Sequence, residues 1–278
     1  MQFAQLFLRS AFLFLALIFP PTVWAENSTL LLRFLDVGQA DSILVIQGEH
    51  ALLIDAGNNA DQKMVLAELE QFRLTRLDAV IGTHVHEDHI GAMDAVIKKL
   101  SVGTVYFPRQ TATTKTFKDF VTAVKSKDLK LTVPHPGDKF DVGLAHLEVL
   151  APARADYDDP NDFSIVVRLV FGSTVFLFTG DASFESEREM LASGRDLSAT
   201  VLKVGHHGSA TASSATFLAA VHPKFAVICV GTGNKYGHPT AAALGRLEAS
   251  GAVVYRTDQH GTLEATSDGA TVSWRMQK

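Results

Sequence analysis

"GTHVHEDHIGAM", residues 82–93, is the stretch on which the reading of the fold turns. Three histidines and two acids fall within residues 84–89, behind the apolar run "LDAVI" and ahead of an apolar helical stripe. A core strand has no use for so many ionisable groups, because each would lose its hydration on burial. In extended chain alternate side chains point the same way, so His84 and His86 can face one ion. Asp88 and His89 follow once the chain turns toward the helix, and they can reach a second ion. Imidazole and carboxylate together suit zinc, manganese or iron. A solvated turn with incidental histidines is the competing reading, and His-x-His-x-Asp-His after an apolar strand argues against it.

Outward from this stretch the chain alternates between two periodicities. Upstream, "LLRFLDVG", "SILVIQG" and "HALLIDAG" are short β-type runs, each closed by a glycine or an Asn/Gly turn signal. Residues 61–72 carry Met64, Val65, Leu66 and Leu69 at helical spacing, and residues 90–100 place Ile90, Met93, Val96, Ile97 and Leu100 on one stripe. Downstream, "VGTVYFP", "LEVLAP", "FSIVVRLVFG", "STVFLFTGD", "ATVLKVG" and "KFAVICVG" read as strands, followed by "AVVYRT", "GTLEAT" and "ATVSW". Helices are expected over "FKDFVTAVKS", 183–193, around 213–220 and over 240–249. The polar segment 152–162, "PARADYDDPND", reads as a surface loop, since strands resume directly after it. Two halves of mixed strands and helices predict an α/β protein with two sheets face to face and helices outside.

At 278 residues and 47% hydrophobic, the chain can bury the core of one large domain. Residues 1–25 differ in kind: Arg9 is their only charge, followed by an apolar run to Phe19, two prolines and a Val-Trp-Ala exit. That pattern predicts a secretory signal peptide cleaved after Ala25, leaving 26–278 as a single domain exported to the periplasm or the extracellular space. An uncleaved anchor is the alternative, although the apolar run is short for a span of about 20 residues. No later segment reads as a membrane span, so no stable membrane insertion is expected after cleavage. Cys229 is the sole cysteine, which excludes a disulfide within the chain and reads as a buried thiol. A net charge of −5 argues against a broad basic footprint for duplex nucleic acid.

Further chemistry sits at other strand ends. "VFLFTGDA" supplies Asp181, either as an anion bridging two metals or as the cap of the helix that follows. "LKVGHHGS" ends a strand in His206 and His207. Adjacent side chains diverge, so only one is expected to bind metal: His206 is read as the ligand and His207 as the group beside the substrate. His238, in the Gly/Pro turn "NKYGHPT", is a candidate substrate contact, as is Lys203. Lys235 and Arg256 also lie near motifs and are weaker candidates for holding phosphate. Asp88 and His207 are the candidate catalytic groups, Asp88 serving as a ligand as well.

"FLDVGQADSILV", "LIDAG", "THVHEDHIGAM", "NDFSIVVRL", "FTGDA", "LKVGHHGS", "GHPT" and "YRTDQHGTLEATSDG" together resemble the metallo-β-lactamase superfamily, in its ComEC/Rec2-like branch. The branch includes the soluble C-terminal domain of a DNA-uptake channel protein and is similar to phosphorylcholine esterases. The resemblance runs from about Leu31 to the C-terminus. It implies a four-layer αββα sandwich, the metallo-β-lactamase fold, holding one or two divalent ions, zinc or manganese. It makes His84 and His86 ligands of one ion and Asp88, His89 and His206 ligands of the other, with Asp181 bridging. Asp55 would support the metal loop from behind the ligands. Many superfamily members carry one more histidine before the bridging aspartate. Here "DPNDFSIVV" offers Asn161, Asp162 or Ser164 instead, which leaves the first ion a ligand short. The function so implied is an exported metal-dependent hydrolase, a phosphodiesterase or nuclease, with single-stranded DNA or an envelope polymer as substrate. Rival readings are a phosphorylcholine esterase, a lactone or β-lactam hydrolase, and a non-catalytic exported binding protein. Nothing in the chain speaks to its oligomeric state.

Overall fold

The structure is a computed structural model that describes residues 29–278. The signal-peptide reading of residues 1–25 therefore lies outside the described residues.

Two mixed sheets form the body. Strands β1 (Leu30–Phe34), β2 (Ser42–Gln47), β3 (His50–Ala56), β4 (Arg76–Ile81), β5 (Ser101–Tyr106) and β6 (Leu131–Thr132) build the first. Strands β7 (Lys139–Val142), β8 (Ala145–Ala151), β9 (Val166–Phe171), β10 (Thr174–Phe178), β11 (Val201–Lys203), β12 (Phe225–Ile228) and β13 (Val253–Arg256) build the second. The last two, β14 (Leu263–Ser267) and β15 (Val272–Met276), return to the first sheet, whose order is β15-β14-β1-β2-β3-β4-β5-β6. The second runs β13-β12-β11-β10-β9-β8-β7. The two-halves reading is thereby corrected at the C-terminus. Strand β14 pairs antiparallel with β1, burying Leu263 and Ala265 between the sheets, and Glu264 meets Arg33 across the pair at 2.6 Å. The sequence reading also missed β7, which forms a hairpin with β8 around Gly143.

Three apolar layers account for four structural ones. Leu32, Val45, Ile54, Leu169, Phe176 and Phe178 fill the space between the sheets. Helices α1 (Gln62–Gln71), α3 (Met93–Lys99) and α4 (Lys115–Ser126) bury Val65, Leu69, Val96, Ile97 and Phe120 on the outer face of the first sheet. Helices α5 (Phe184–Ala192), α6 (Ala215–Val221) and α7 (Ala241–Ala249) do the same on the second with Met190, Phe217, Leu218 and Leu247. This is the αββα sandwich expected. Where both faces are covered, at β3, β10, β11 and β12, the strands read as nearly continuous apolar runs. Among the described residues, no helix is long and apolar enough to cross a membrane.

The one helix expected over 90–100 is two. Helix α2 (Glu87–Ile90) stops at Gly91, whose N–H donates to the Gly57 carbonyl at 2.8 Å, and Ala92 N–H donates to Ala56 at 3.2 Å. A side chain at Gly91 would lie 2.1 Å from the Asn58 carbonyl carbon, so only glycine lets the histidine loop dock on the end of β3. That docking puts the sequence motif of residues 84–89 at the carboxyl ends of the parallel strands, where open α/β sheets place their ligands.

Candidate metal centre

The floor of the site is built from loops leaving β1, β3, β4, β10 and β11. Asp55, near the end of β3, is 1% exposed and sits in the left-handed region at φ +56°. Its Oδ1 accepts Thr83 N–H and its Oδ2 accepts the Thr83 hydroxyl, both at 2.8 Å. Oδ2 also takes the His89 Nδ1–H at 2.8 Å. That bond fixes the ring so that His89 Nε2 points inward, 3.3 Å from Asp181 Oδ2. Asp55 thus ties Thr83 and His89 together beneath the histidine loop.

His207 is held in the same fashion. Its Nδ1 lies 2.9 Å from the Cys229 carbonyl, which can only accept, so Nδ1 carries the proton. Nε2 then faces Asp88 Oδ2 at 3.3 Å and Asp181 Oδ2 at 3.7 Å. Asp88, His89, Asp181 and His207 each offer one donor atom, all within 4.8 Å of one another. Three atoms in this cluster, His89 Nε2, His207 Nε2 and Asp181 Oδ1, are buried without a hydrogen-bond partner. Leaving a buried polar atom unsatisfied costs about 1–3 kcal/mol each. Imidazole nitrogens and carboxylate oxygens converging in this way fit a divalent cation such as zinc or manganese.

The geometry therefore favours His207 over His206 in the ligand set, the reverse of the sequence reading. Both residues take left-handed backbone, at φ +48° and +52°, within the tight turn Gly205–Gly208. Alternation along an extended chain no longer applies there, and the second ring swings inward while the first stays at the wall. His206 keeps 25% of its side chain exposed, with Nε2 3.7 Å from Asp181 Oδ2.

His84 and His86 form the other side. His84 is fully buried, and its Nδ1 lies 3.1 Å from Thr83 Oγ1 and 3.4 Å from Ser164 Oγ. The Thr83 hydroxyl proton is already given to Asp55, so His84 Nδ1–H donates to it and Nε2 is left to face the site. Nε2 meets His86 Nδ1 at 2.9 Å and Asp181 Oδ2 at 3.9 Å. These three side chains could share a second ion. Ser164, one of the three residues offered in place of a further histidine, accepts the Asp181 N–H at 3.0 Å and so braces the aspartate. Asp162 instead accepts from Ser183, and Ser183 caps α5. Asp181 is thus not the helix cap; its carboxylate faces the imidazoles.

Electrostatics match the geometry. Burial opposes ionisation of Asp181, but His89 and His207 outweigh it and hold the carboxyl well below the usual range. Burial and the neighbouring His89 push His84 well below the ordinary histidine value. For His207, burial acts downward, yet Asp181 and Asp41 win and push the imidazole up to about 10.

Lys203 does not line the site, contrary to expectation. It is 1% exposed and its ammonium lies 2.5 Å from Asp41 Oδ2, because β11 is covered on both faces and every side chain on it is buried. Asp41 was missed by the sequence reading although "DVGQADS" contains it. Its Oδ1 stands 3.4 Å from His207 Nδ1, so the Lys203–Asp41 pair backs the His207 ring. Asp41, Asp55 and His89 also lie close enough together to suggest a metal. Lys203 holds Asp41 Oδ2, and Thr83 and the His89 Nδ1–H hold both oxygens of Asp55, so a cation there would find Asp41 Oδ1 as its one oxygen free of a hydrogen bond. Arg256 is paired with Asp258 at 2.6 Å and takes no part in the cleft.

Above this floor opens a cleft of about 250 Å³ lined by Gln39, His86, Glu87, Asp88, Asp181, His206, His207, Tyr236 and His238. His238 lines it, with its ring edge-on to His206 at 5.6 Å.

The metallo-beta-lactamase superfamily profile matches residues 35–232. ComE operon protein 3 of Bacillus subtilis (strain 168) is 29% identical over 248 residues, covering 83% of this chain and 32% of that protein. Competence protein ComA of Neisseria gonorrhoeae is 33% identical over 232 residues, covering 82% of this chain and 31% of that protein. The chain spans about a third of the length of these relatives. Among solved structures, the metallo-beta-lactamase fold protein YhfI from Bacillus subtilis superposes with a TM-score of 0.56 at 14% identity, over 88% of this chain and 100% of that one. At that identity the likeness concerns the fold alone.

Proposed function

The chain belongs to the metallo-beta-lactamase superfamily, in its ComEC/Rec2-like branch, and from that premise we propose that it is a metal-dependent phosphodiesterase acting on nucleic acid. The observation that carries the reading is the set of buried, unpartnered atoms His89 Nε2, His207 Nε2 and Asp181 Oδ1 converging on the floor of an open cleft. Asp88, His89, Asp181 and His207 would hold one ion; His84, His86 and Asp181 would hold a second. Such ions supply an acidified water and stabilise negative charge on phosphoryl oxygens.

The protein's own side chains do the rest. Asp55 and the Cys229 carbonyl fix the rings of His89 and His207 so that both present Nε2 to the cleft floor. His206, partly exposed on the cleft wall, takes the role first given to His207: it exchanges a proton with the leaving oxygen. A positioned acid of this kind contributes roughly 10²–10⁴-fold in rate. Asp88 serves as a ligand and, at 3.3 Å from His207 Nε2, keeps that ring aligned. No lysine or arginine among the described residues lines the cleft, and the net charge is −5. Both favour a single strand or short fragment over a long duplex, whose binding rests on many cationic contacts. The competence proteins among its relatives support a nucleic-acid substrate, and the leader-like residues 1–25 support action in the periplasm or outside the cell.

The test is turnover by manganese- or zinc-loaded protein against bis-p-nitrophenyl phosphate, single-stranded and plasmid DNA, p-nitrophenyl phosphorylcholine, a lactone and nitrocefin. Cleavage of the phosphodiesters, lost in Asp181→Ala together with bound metal, is the expected result. Turnover of nitrocefin or the lactone with intact diesters would replace this reading. Protein that takes up no metal after loading would end it.

A further inference from the structure

Of the large apolar side chains exposed among the described residues, Tyr236 alone lines the cleft, with 59% of its surface open to water. A singly exposed aromatic is ordinary. This one is held in place by a purpose-built loop. Asn234 Oδ1 accepts the N–H groups of Tyr236 at 3.1 Å and His238 at 3.0 Å, while its amide donates to the carbonyls of Gly231 and His238 at 3.0 and 2.6 Å. The loop is also tied to the opposite wall, where Gln39 Oε1 accepts Gly231 N–H at 3.2 Å. Tyr236 stacks against the His238 imidazole, centroids 5.8 Å apart and planes 26° from parallel. The ring is thus displayed with little freedom left to lose on binding, the property that makes an aromatic surface effective.

Charge beside the ring selects among ligands. The Lys235 ammonium sits 5.1 Å from the Tyr236 centroid. The lysine stem is flexible, so the ammonium can leave the ring to meet a backbone phosphate as a base takes its place, whereas a cationic headgroup approaching that face would be repelled by it. Stacking faces next to a cation are how single strands are held without sequence preference.

We propose that Tyr236, backed by His238 and flanked by Lys235, is a stacking platform for a nucleobase next to the scissile phosphate of a single-stranded nucleic acid. The proposal deepens the phosphodiesterase reading and rests on it for the position of the phosphate. Its test uses binding rather than turnover, so that the two can fail separately. In metal-free buffer, where no strand is cut, fluorescence anisotropy compares oligothymidylate with an abasic strand of equal length. The protein should bind oligothymidylate roughly ten- to hundredfold more tightly, as expected for one stacked base. Tyr236→Ala should bring the two affinities together, and Tyr236→Trp should keep them apart. Equal binding of both strands by the unmodified protein, or a preference that survives Tyr236→Ala, overturns the platform. So does a Tyr236→Ala variant that loses binding of p-nitrophenyl phosphorylcholine while keeping the preference for bases, which would assign the ring to a quaternary cation. Absence of diester turnover by metal-loaded protein, measured alongside, overturns the phosphodiesterase reading and leaves the binding ratio to decide the platform.

Discussion

The two sides of the metal centre are built to different standards. On the His89–His207 side, each ring gives its Nδ1 proton to a fixed acceptor, Asp55 in one case and the Cys229 carbonyl in the other. Behind them stands the Lys203–Asp41 ion pair, fully buried. On the His84–His86 side, His84 rests on the hydroxyls of Thr83 and Ser164, and the hydrogen bond recorded for the His86 ring goes to His84 itself. That side offers no candidate beyond His84, His86 and the shared Asp181: in the stretch where many superfamily members carry a histidine, Ser164 braces Asp181 instead. Rings fixed from behind lose less freedom on binding an ion, so the first side should fill first and hold its ion more tightly.

The largest way to break this asymmetry is to remove what stands behind it. Lys203→Met would leave the Asp41 carboxylate buried with its main counter-charge gone, a change that costs about 3–5 kcal/mol. Urea unfolding of the metal-free variant should show a loss of that order, and adding Asp41→Asn should recover most of it. An unchanged midpoint would mean that the pair is not structural.

A smaller effect is expected from Asp55→Ala, which leaves every proposed ligand in place but frees the His89 ring. Loss of such a supporting partner typically costs 10–100-fold in metal affinity. Competition with a chelator should register that loss on the tighter ion, and equal weakening of both ions would show that the sides are not independently braced.

A third effect is a pH dependence. In metal-free protein His207 is raised to about 10, against an ordinary value near 6.5. A group raised on folding contributes stability that is fully present below about pH 6.5 and is lost as pH rises through about 10. The urea midpoint of metal-free protein should therefore fall across that window. His207→Gln should flatten the fall.

The same contrast explains what the sequence could and could not disclose. His84, His86, Asp88, His89 and Asp181 follow apolar strands in "THVHEDH" and "FTGDA", so their clustering at strand ends is legible from pattern alone. The order of His206 and His207 is not, because it depends on two consecutive left-handed residues that reverse which ring points inward. Lys203 was misjudged for a related reason: a lysine on a short strand looks like a surface charge until the strand proves to be covered on both faces. Asp41 stands inside the motif "DVGQADS", but its role is not legible there, since its partner lies 162 positions away in sequence and only the fold brings them together. The return of β14 to the first sheet is likewise a long-range pairing that strand periodicity does not encode.

The central claim is that His207, not His206, completes the tighter ligand set. Metal content by elemental analysis of His207→Ala and His206→Ala, each loaded with manganese or zinc and then dialysed, tests it most directly. His207→Ala should lose the ion that survives dialysis, while His206→Ala should keep that ion and lose roughly 10²–10⁴-fold in diester turnover. An ion retained in His207→Ala and lost in His206→Ala would contradict the account and restore the order first read from the sequence.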